Sequence, residues 1–246
     1  MQNRRPTLVL LPNLLDEEEH QYQKYLPRLV EEKIQTLNGL FAESEKGGRR
    51  YLKRFPFPEG RCFRDVPILL LNEHTKDKEL RGLFDPVLKG EIWGVVSDAG
   101  LPCLADPGAK LVHLARDLDV HVEVCSGPSS IFFALMLSGL SAQRFSFHGY
   151  LEREPDLVRK QIAILEKQSH LQKMTQVFIE APYRCNPLFQ ALIETLDEKT
   201  ELSVCMNLTA QDEWVMTKKV REWRRREKPD LHKKRVVFLF SSENSI

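Results

Sequence analysis

Cysteine is scarce in this sequence, with five residues in 246 that are widely spaced and form no Cys-x-x-Cys pair. They are Cys62, Cys103, Cys125, Cys185 and Cys205. Such a set indicates neither a disulfide framework nor a zinc site, so we expect no metal. Long apolar runs are also missing, since none approaches the roughly 20 residues that a membrane helix needs. We therefore expect no association with a membrane.

The N-terminal stretch MQNRRPTLVLLPNLLDEEE lacks the pattern of a signal peptide. Acidic residues follow its short apolar run directly, and no small-residue cleavage site is present. We interpret the run as a first strand. Because 42% of the residues are hydrophobic and 29% charged, the chain has the apolar surface that a disordered protein lacks. The composition predicts a cytoplasmic globular protein of one large or two compact domains.

Neither sign of charge predominates, because 36 Lys and Arg residues are balanced by 35 Asp and Glu residues. Two segments depart from this balance. Residues 46–64 contain seven basic residues and one acidic residue, and residues 216–235 contain ten basic and three acidic ones. Such segments suit a polyanionic partner, since phosphate contacts supply most nucleic-acid affinity. Charge alone favours the other interpretation, which is solvated helix faces and loops.

Short apolar runs alternate with helical patterns, as is typical of an α/β protein. The predicted strands are Thr7–Leu11, Leu40–Ala42, Ile68–Leu71, Ile92–Val96, Val120–Cys125, Phe145–Phe147, Gln176–Ile179, Leu202–Met206 and Val236–Phe240. The predicted helices are Pro107–Leu118, Pro128–Gly139, Asp156–Glu166 and Leu188–Leu196. Because Ser-Gly-Pro at 126–128 interrupts the pattern, we predict two α/β domains, residues 1–126 and 127–246.

For two of these helices the sequence also predicts how the helix begins or how deeply it is buried. Asp106 is expected to be the N-cap of the first, with Pro107 in its first turn, where the missing N–H has no consequence. The segment Pro128–Gly139 is apolar nearly all round and is therefore expected to be a buried helix.

The segment Val95–Pro102 ends a strand in a turn that carries Asp98 and Gly100. Ligands bind at the carboxyl ends of strands in open α/β sheets, and the Asp98 carboxylate is suited to a ribose hydroxyl or an amine. The alternative is that Asp98 only accepts hydrogen bonds within its own turn. The glycine spacing does not match a dinucleotide-binding fingerprint.

The segment Val124–Ile131 places Ser129 and Ser130 at the start of a helix. Free backbone N–H groups there are suited to a carboxylate or a phosphate. Alternatively, the two serines only cap the helix. The segment is not a Gly-x-Ser-x-Gly elbow, so serine hydrolase chemistry has no support.

Several motifs follow one another in a fixed order along the chain. They are Ser-Asp-Ala-Gly-x-Pro at 97–102, Asp-Pro-Gly at 106–108, Gly-Pro-Ser at 127–129, Leu-Ser-Gly-Leu at 137–140 and Glu-Ala-Pro-Tyr-Arg at 180–184. As an ordered set they resemble the tetrapyrrole methylase superfamily, the class III S-adenosylmethionine-dependent methyltransferases. The likeness is greatest to the branch that methylates a ribose 2′-hydroxyl of small-subunit ribosomal RNA.

The resemblance implies two α/β domains with the cofactor cleft between them, S-adenosylmethionine as methyl donor, RNA as partner and a homodimer. It assigns donor binding to residues of both domains: Pro12, Asp98, Ala99, Gly100, Leu101, Ser129, Ser130, Ala181 and Leu208.

Three segments depart from the family pattern. Pro-x-G-N-L of the family stands here as Pro12-Asn13-Leu14, without the glycine. Ala-Glu-Asp-Thr-Arg stands as residues 42–46, which keep Glu43 but lose the aspartate and the arginine. Arg-Glu-Leu-Thr-Lys stands as residues 206–210, Met-Asn-Leu-Thr-Ala, which lose the three charged residues. The donor side is therefore expected to match the family and the acceptor side to differ.

A ribose hydroxyl is a weak nucleophile, so a base or a neighbouring cation helps to activate it. Glu43 and His74 are the candidate catalytic residues, although a lone histidine is also commonly structural. Lys46, Arg49 and Arg50 are the candidate RNA contacts. For Glu180 and Arg184 we expect a structural ion pair.

Three hypotheses follow from these observations. The first is a methyltransferase acting on RNA. The second is a methyltransferase for a small, tetrapyrrole-like molecule, in which the basic segments have no such role. The third is a binding protein that keeps the donor cleft and has lost catalysis, as the altered acceptor motifs would allow.

Overall fold

The computed structural model describes residues 5–19 and 21–242. Contacts divide the chain into two compact units, of which the first ends at Ser129 and the second begins at Ser130.

The first unit is built on a five-stranded parallel sheet of order β3-β2-β4-β1-β5. Its strands are β1 (Thr7–Leu10), β2 (Gly39–Ala42), β3 (Ile68–Leu70), β4 (Ile92–Val95) and β5 (His121–Val124). Its helices are α1 (Arg28–Thr36), α2 (Glu45–Leu52), α3 (Asp77–Leu88) and α4 (Gly108–Asp117). Apolar clusters cover both faces of the sheet, as parallel sheets require.

The second unit is built on a mixed sheet of order β6-β7-β10-β8-β9, in which only β6 and β7 are parallel. Its strands are β6 (Phe145–Tyr150), β7 (Thr175–Glu180), β8 (Glu201–Met206), β9 (Trp214–Lys219) and β10 (Val236–Ser241). Its helices are α5 (Ser130–Ser138), α6 (Pro155–Gln172), α7 (Cys185–Thr195) and α8 (Val220–Arg225). Phe178, Phe238 and Phe240 form the centre of its core.

The structure confirms the nine predicted strands and the four predicted helices, with shifted ends. Among the described residues it adds the α-helices α1, α2, α3 and α8 and the strand β9, which the sequence did not predict. In the described part of the chain, no helix is long and apolar enough to cross a membrane.

The expected N-cap of α4 was wrong, because Pro107 occupies the cap position and the helix begins at Gly108. Asp106 still supports this helix start, since its Oδ1 accepts a hydrogen bond from the Gly108 N–H at 2.6 Å. Asp106 thus lies one residue before the N-cap, and its carboxylate still accepts a hydrogen bond from an N–H of the first turn.

The expectation that α5 is buried all round was also wrong. Ile131, Ala134 and Leu135 are buried and face β8, β9 and β10, but Met136 is 77% exposed. Phe132 and Leu137 are about half exposed beside it. The helix therefore has one apolar face in the core and a second apolar face at the surface of its unit.

Candidate functional site

Loops at the carboxyl edge of the parallel sheet carry most of the predicted site residues of the first unit. Pro12 and Asn13 follow β1, Glu43 follows β2, and the loop of residues 97–101 follows β4. Because β1 and β2 both pair with β4, these three loops emerge side by side. This is the edge at which open α/β sheets bind ligands.

Asn13 joins the first of these loops to the third. Its Nδ2 donates to the carbonyl oxygens of Ser97 and Asp98, at 3.0 and 2.9 Å, and its backbone N–H donates to Gly100 O at 2.8 Å. The side chain is buried, with only 6% of its surface exposed. A buried amide with all these bonds fixes the conformation of residues 97–100, because breaking any of them leaves a polar group unsatisfied.

Helix α2 and the residues after it hold the Pro12–Asn13 loop from the other side. The Arg54 guanidinium donates to Asn13 Oδ1 at 2.8 Å, and the Tyr51 hydroxyl donates to Pro12 O at 3.0 Å. Burial raises the pKa of Tyr51 well above its usual value, so the phenol remains a hydrogen-bond donor. The loop of residues 97–100 is thus connected through Asn13 to α2 and the residues after it.

Glu43 contacts the same loop directly, since its Oε1 accepts a hydrogen bond from the Asp98 N–H at 3.0 Å. The next residue, Ser44, is the N-cap of α2, and its hydroxyl accepts from the Gly47 N–H at 3.0 Å. A methyl group at position 47 would lie 3.0 Å from Asp98 Oδ1. The glycine therefore leaves room for the Asp98 carboxylate beside the first turn of the helix.

Acidic side chains give this edge a negative potential. Burial raises the pKa of Glu43, the hydrogen bond from Asp98 opposes the shift, and the charges of Asp98, Asp106 and Glu73 add to it. Burial also raises the pKa of Asp106, whose Oδ2 is buried without a hydrogen-bond partner. A cationic ligand with hydroxyl or amine donors fits such a set of carboxylates.

Glycine is required at two positions of this edge. Gly100 has a φ of +74°, a conformation that side chains rarely adopt. At Gly127 a methyl group would lie 2.1 Å from Pro12 Cβ, so only glycine lets the loop after β5 approach the loop after β1. The structure therefore brings together Pro12, the loop of residues 97–101 and the Gly-Pro-Ser segment that ends in the buried Ser129.

The other candidates of the first unit lie differently. His74 is 85% exposed on the turn after β3, with Nε2 3.6 Å from Glu73 Oε1, and no contact to Glu43 is found within residues 5–19 and 21–242. Lys46 is exposed on the first turn of α2. Arg49 and Arg50 have internal partners, which are backbone carbonyls for Arg49 and the Glu17 carboxylate for Arg50.

In the second unit, Ser130 begins α5, and Ala181 follows β7. Glu180 Oε1 accepts a hydrogen bond from the Ala181 N–H at 2.7 Å, and Glu180 Oε2 lies 3.1 Å from Arg184 Nη2 without hydrogen-bond geometry. Arg184 also donates to Glu152 O at 2.7 Å. These contacts confirm the expected ion pair, which supports the turn that presents Ala181.

Leu208 is buried between two residues of positive φ, Asn207 at 48° and Thr209 at 74°. Asn207 Oδ1 accepts a hydrogen bond from the Arg235 N–H at 3.0 Å, and Asn207 Nδ2 donates to Asp212 at 2.9 Å. The asparagine that replaces a family charge thus maintains the turn that contains Leu208.

Sequence reasoning missed Asn13, Tyr51 and Arg54 as the residues that fasten the 97–100 loop. An asparagine directly after a buried strand and a proline was a signal for Asn13. For Tyr51 and Arg54 the sequence carried none, because α2 itself was not predicted. Within the described residues, no group of three His, Cys, Asp or Glu side chains is arranged to hold a metal ion.

The fold and the site define an α/β protein of two units, with a cluster of hydrogen-bonded loops at the carboxyl ends of a parallel sheet. Residues 24–223 match the family of tetrapyrrole (corrin/porphyrin) methylases, and the chain belongs to this family.

Curated relatives include the "Ribosomal RNA small subunit methyltransferase I" of Bacillus subtilis, which is 32% identical over 149 residues, 61% of this chain and 49% of that one. The protein of the same name from Leptospira borgpetersenii is 33% identical over 158 residues, 63% of this chain and 60% of that one. The chain spans about half the length of the curated relatives that it matches.

Solved structures with the same fold include the methyltransferase CobJ, with a TM-score of 0.62 at 12% identity, covering 96% of this chain and 92% of that chain. The uroporphyrin-III-C-methyltransferase of Thermus thermophilus has a TM-score of 0.55 at 14% identity, covering 96% and 94%. At these identities the likeness concerns the fold alone.

Proposed function

We propose that this protein is an S-adenosylmethionine-dependent methyltransferase that acts in the cytoplasm on small-subunit ribosomal RNA, at a ribose 2′-hydroxyl. The observation that carries the proposal is the loop of residues 97–101, which Asn13 and Glu43 fix at the carboxyl edge of the parallel sheet. Family membership supports methyl transfer, and the names of the relatives support ribosomal RNA as the substrate.

The donor is proposed to bind Asp98, Ala99, Gly100 and Leu101, together with Pro12, Ser129, Ser130, Ala181 and Leu208. When bound, S-adenosylmethionine supplies an electrophilic methyl group on a positively charged sulfur. The exposed Asp98 carboxylate is suited to accept hydrogen bonds from its hydroxyl or amine groups. The negative potential of Asp98, Glu43 and Asp106 favours the cation over the neutral product, which promotes exchange after transfer.

Glu43 is proposed to accept the proton of the ribose hydroxyl while the new oxygen–carbon bond forms and the carbon–sulfur bond breaks. Its Oε1 is held by the Asp98 N–H, which orients the carboxylate beside the donor loop. Its pKa is raised by burial, which makes it a stronger base than an exposed glutamate. Lys46, exposed on the adjacent turn, is a candidate contact for a phosphate of the RNA. The exposed His74, on the turn after β3, remains a candidate catalytic residue.

A homodimer is proposed through the outer face of α5. Met136, Phe132 and Leu137 are exposed there, and the Phe132 ring contacts Phe145 with centroids 6.2 Å apart. Clustered apolar side chains of this kind mark interaction sites. Met136→Lys should shift the protein toward monomer in sedimentation equilibrium. The matched variant Leu171→Lys, at a residue 69% exposed on α6, should leave the association unchanged.

The test of the proposed function is transfer of radiolabelled methyl groups from S-adenosylmethionine to small ribosomal subunits from a strain that lacks this gene. Label in a nuclease-resistant dinucleotide is expected, because a methylated 2′-hydroxyl blocks cleavage. Glu43→Gln should lower the rate about 100-fold or more if the glutamate is the base. Glu59→Gln, at an exposed position, should not.

Each other outcome selects a different hypothesis. Label in a metabolite extract but not in RNA would favour a small-molecule substrate. Donor binding by calorimetry without transfer to either pool would favour a binding protein, and absence of donor binding would refute all three.

A further inference from the structure

A concentration of basic side chains lies on the second unit. It consists of the end of β9, the helix α8 and the residue after it, and we call it the β9–α8 basic surface. Its cations are Lys218, Lys219, Arg221, Arg225 and Arg226. We propose that this surface binds the phosphate backbone of the RNA substrate; the inference rests on the proposed function and assigns the partner to a place on the fold.

The surface is fixed to the core of its unit. Val220 and Trp223 are fully buried, and the Trp223 Nε1–H donates to Leu202 O at 2.9 Å. The Trp223 ring meets Phe189 edge-on, with centroids 5.3 Å apart. Because these side chains anchor the helix, the cations on its other side are presented by a rigid backbone, which lowers the entropy lost on binding.

The arginines of α8 divide into two groups. Arg224 donates to the carbonyls of Ile193 and Leu196, at 2.7 and 2.8 Å, and so closes the end of α7. Arg221, Arg225 and Arg226 are exposed, and no hydrogen bond or ion pair of their side chains is found to any described residue. Arg221 and Arg225 are four residues apart and share one side of the helix.

Nearby acidic groups do not neutralise these arginines. The Glu222 carboxylate accepts from the Lys219 backbone N–H at 3.1 Å and so caps the helix. Glu227 is exposed after α8, and Glu198 lies near the helix start, where its carbonyl accepts from the Arg221 N–H at 3.0 Å. Glu201 lies opposite Lys219 on β8. Five cations against these four acidic residues still leave an excess of positive charge on the surface.

The observations favour RNA over a membrane as the partner. The apolar side chains of α8, Val220 and Trp223, are buried in the core, so the helix has no apolar face to insert into lipid. Exposed guanidinium groups are suited to bidentate contacts with phosphate oxygens.

The test measures binding of the full-length protein to small subunits from the deletion strain over a range of salt concentrations. The variant Arg221→Gln/Arg225→Gln/Arg226→Gln should bind about tenfold more weakly near 0.1 M salt, with a salt slope smaller by about two to three. The control is Arg153→Gln/Lys160→Gln/Lys167→Gln, which removes the same charge from exposed cations of this unit. It should bind within about twofold of the wild type.

Donor affinity by calorimetry and the urea midpoint should be unchanged in both variants, which excludes misfolding. If the wild type binds subunits and both triple variants lose the same affinity for them, the assignment of this surface is wrong and the proposed function stands. The same holds if neither variant loses affinity. If the wild type binds the donor but no subunit, the proposed RNA substrate itself is wrong.

Discussion

The two basic segments of this chain have similar compositions and different roles in the structure. In residues 46–64, most guanidinium groups contact internal partners. Arg49 binds carbonyls, Arg50 binds Glu17, Arg54 binds Asn13, and Arg61 binds carbonyls at the C-terminal end of α1. In residues 216–235, Arg221, Arg225 and Arg226 point away from the core. The number of basic residues in a sequence therefore does not reveal how many are available to a partner.

The difference follows from the backbone around each segment. Residues 53–67 contain no strand and no α-helix, so their carbonyls lack the regular partners that secondary structure provides. Arginine, with five donors in a planar fork, satisfies several carbonyls at once. Residues 214–225 form β9, which pairs with β8, and the helix α8, whose first N–H groups bond to carbonyls of residues 198 and 200. These backbone groups therefore need few side-chain donors, and Arg221 and Arg225 stay exposed.

The largest effect is expected for Arg49→Ala. Arg49 Nη1 donates to Phe63 O and Val66 O at 3.0 and 2.7 Å, and its loss leaves these carbonyls without the donor. The free energy of unfolding, measured in urea, should fall by about 3 kcal/mol. Lys53→Ala, at an exposed cation at the end of the same helix, should change it by less than about 0.5 kcal/mol. Equal effects would remove the distinction between internal and free cations.

Arg54→Ala should have the next largest effect, because it removes a partner of the buried Asn13. We expect a loss of about 2 kcal/mol in unfolding free energy. Donor affinity by calorimetry should also weaken, since Asn13 fixes residues 97–100. Wild-type donor affinity in this variant would show that the loop of residues 97–100 keeps its shape without the hydrogen bond from Arg54 to Asn13.

Trp223→Phe should test the anchoring of the β9–α8 basic surface. The smaller phenyl ring loses part of the packing of the indole and the hydrogen bond to Leu202 O, so stability should fall by about 1.5 kcal/mol. RNA affinity should fall with it, and donor affinity should not. A loss of donor affinity equal to that of RNA affinity would argue against a local role.

The smallest effect concerns the pH dependence of stability at Glu43. Its pKa is raised in the folded protein, so the folded state binds the proton more tightly than the unfolded state does. Stability from this group is therefore present below the unfolded pKa of about 4.3 and lost as the pH rises through the folded value. Relative to the wild type, Glu43→Gln should gain stability above that window and not below it. A gain in stability from Glu43→Gln that is the same above and below this pH range would contradict the raised pKa.

Much of the fold could be predicted because its strands are continuous apolar runs, as Ile92–Val95 and Val236–Ser241 illustrate. Helix α2 escaped prediction because Gly47 and Gly48 and a row of charges hide its periodicity. Strand β9 escaped because its sequence, Trp-Val-Met-Thr-Lys-Lys, is half polar and ends in two lysines.

The loops at the carboxyl edge could be located from the sequence because their motifs are local in sequence. The contacts that fasten them could not, since Asn13 reaches Ser97 across 84 residues and Arg54 reaches Asn13 across 41. The exposure of Met136 could not be predicted either, because an apolar helix carries no sequence signal for which face the sheet covers.

The measurement that tests the account most directly is steady-state methyl transfer to small ribosomal subunits by the wild type, the Arg221/Arg225/Arg226 triple variant and its charge-matched control. We predict methylation of a ribose by the wild type and an increase of about tenfold in KM for subunits in the triple variant, with KM for the donor unchanged. No methyl transfer by the wild type, or an equal increase in the control, would contradict the account.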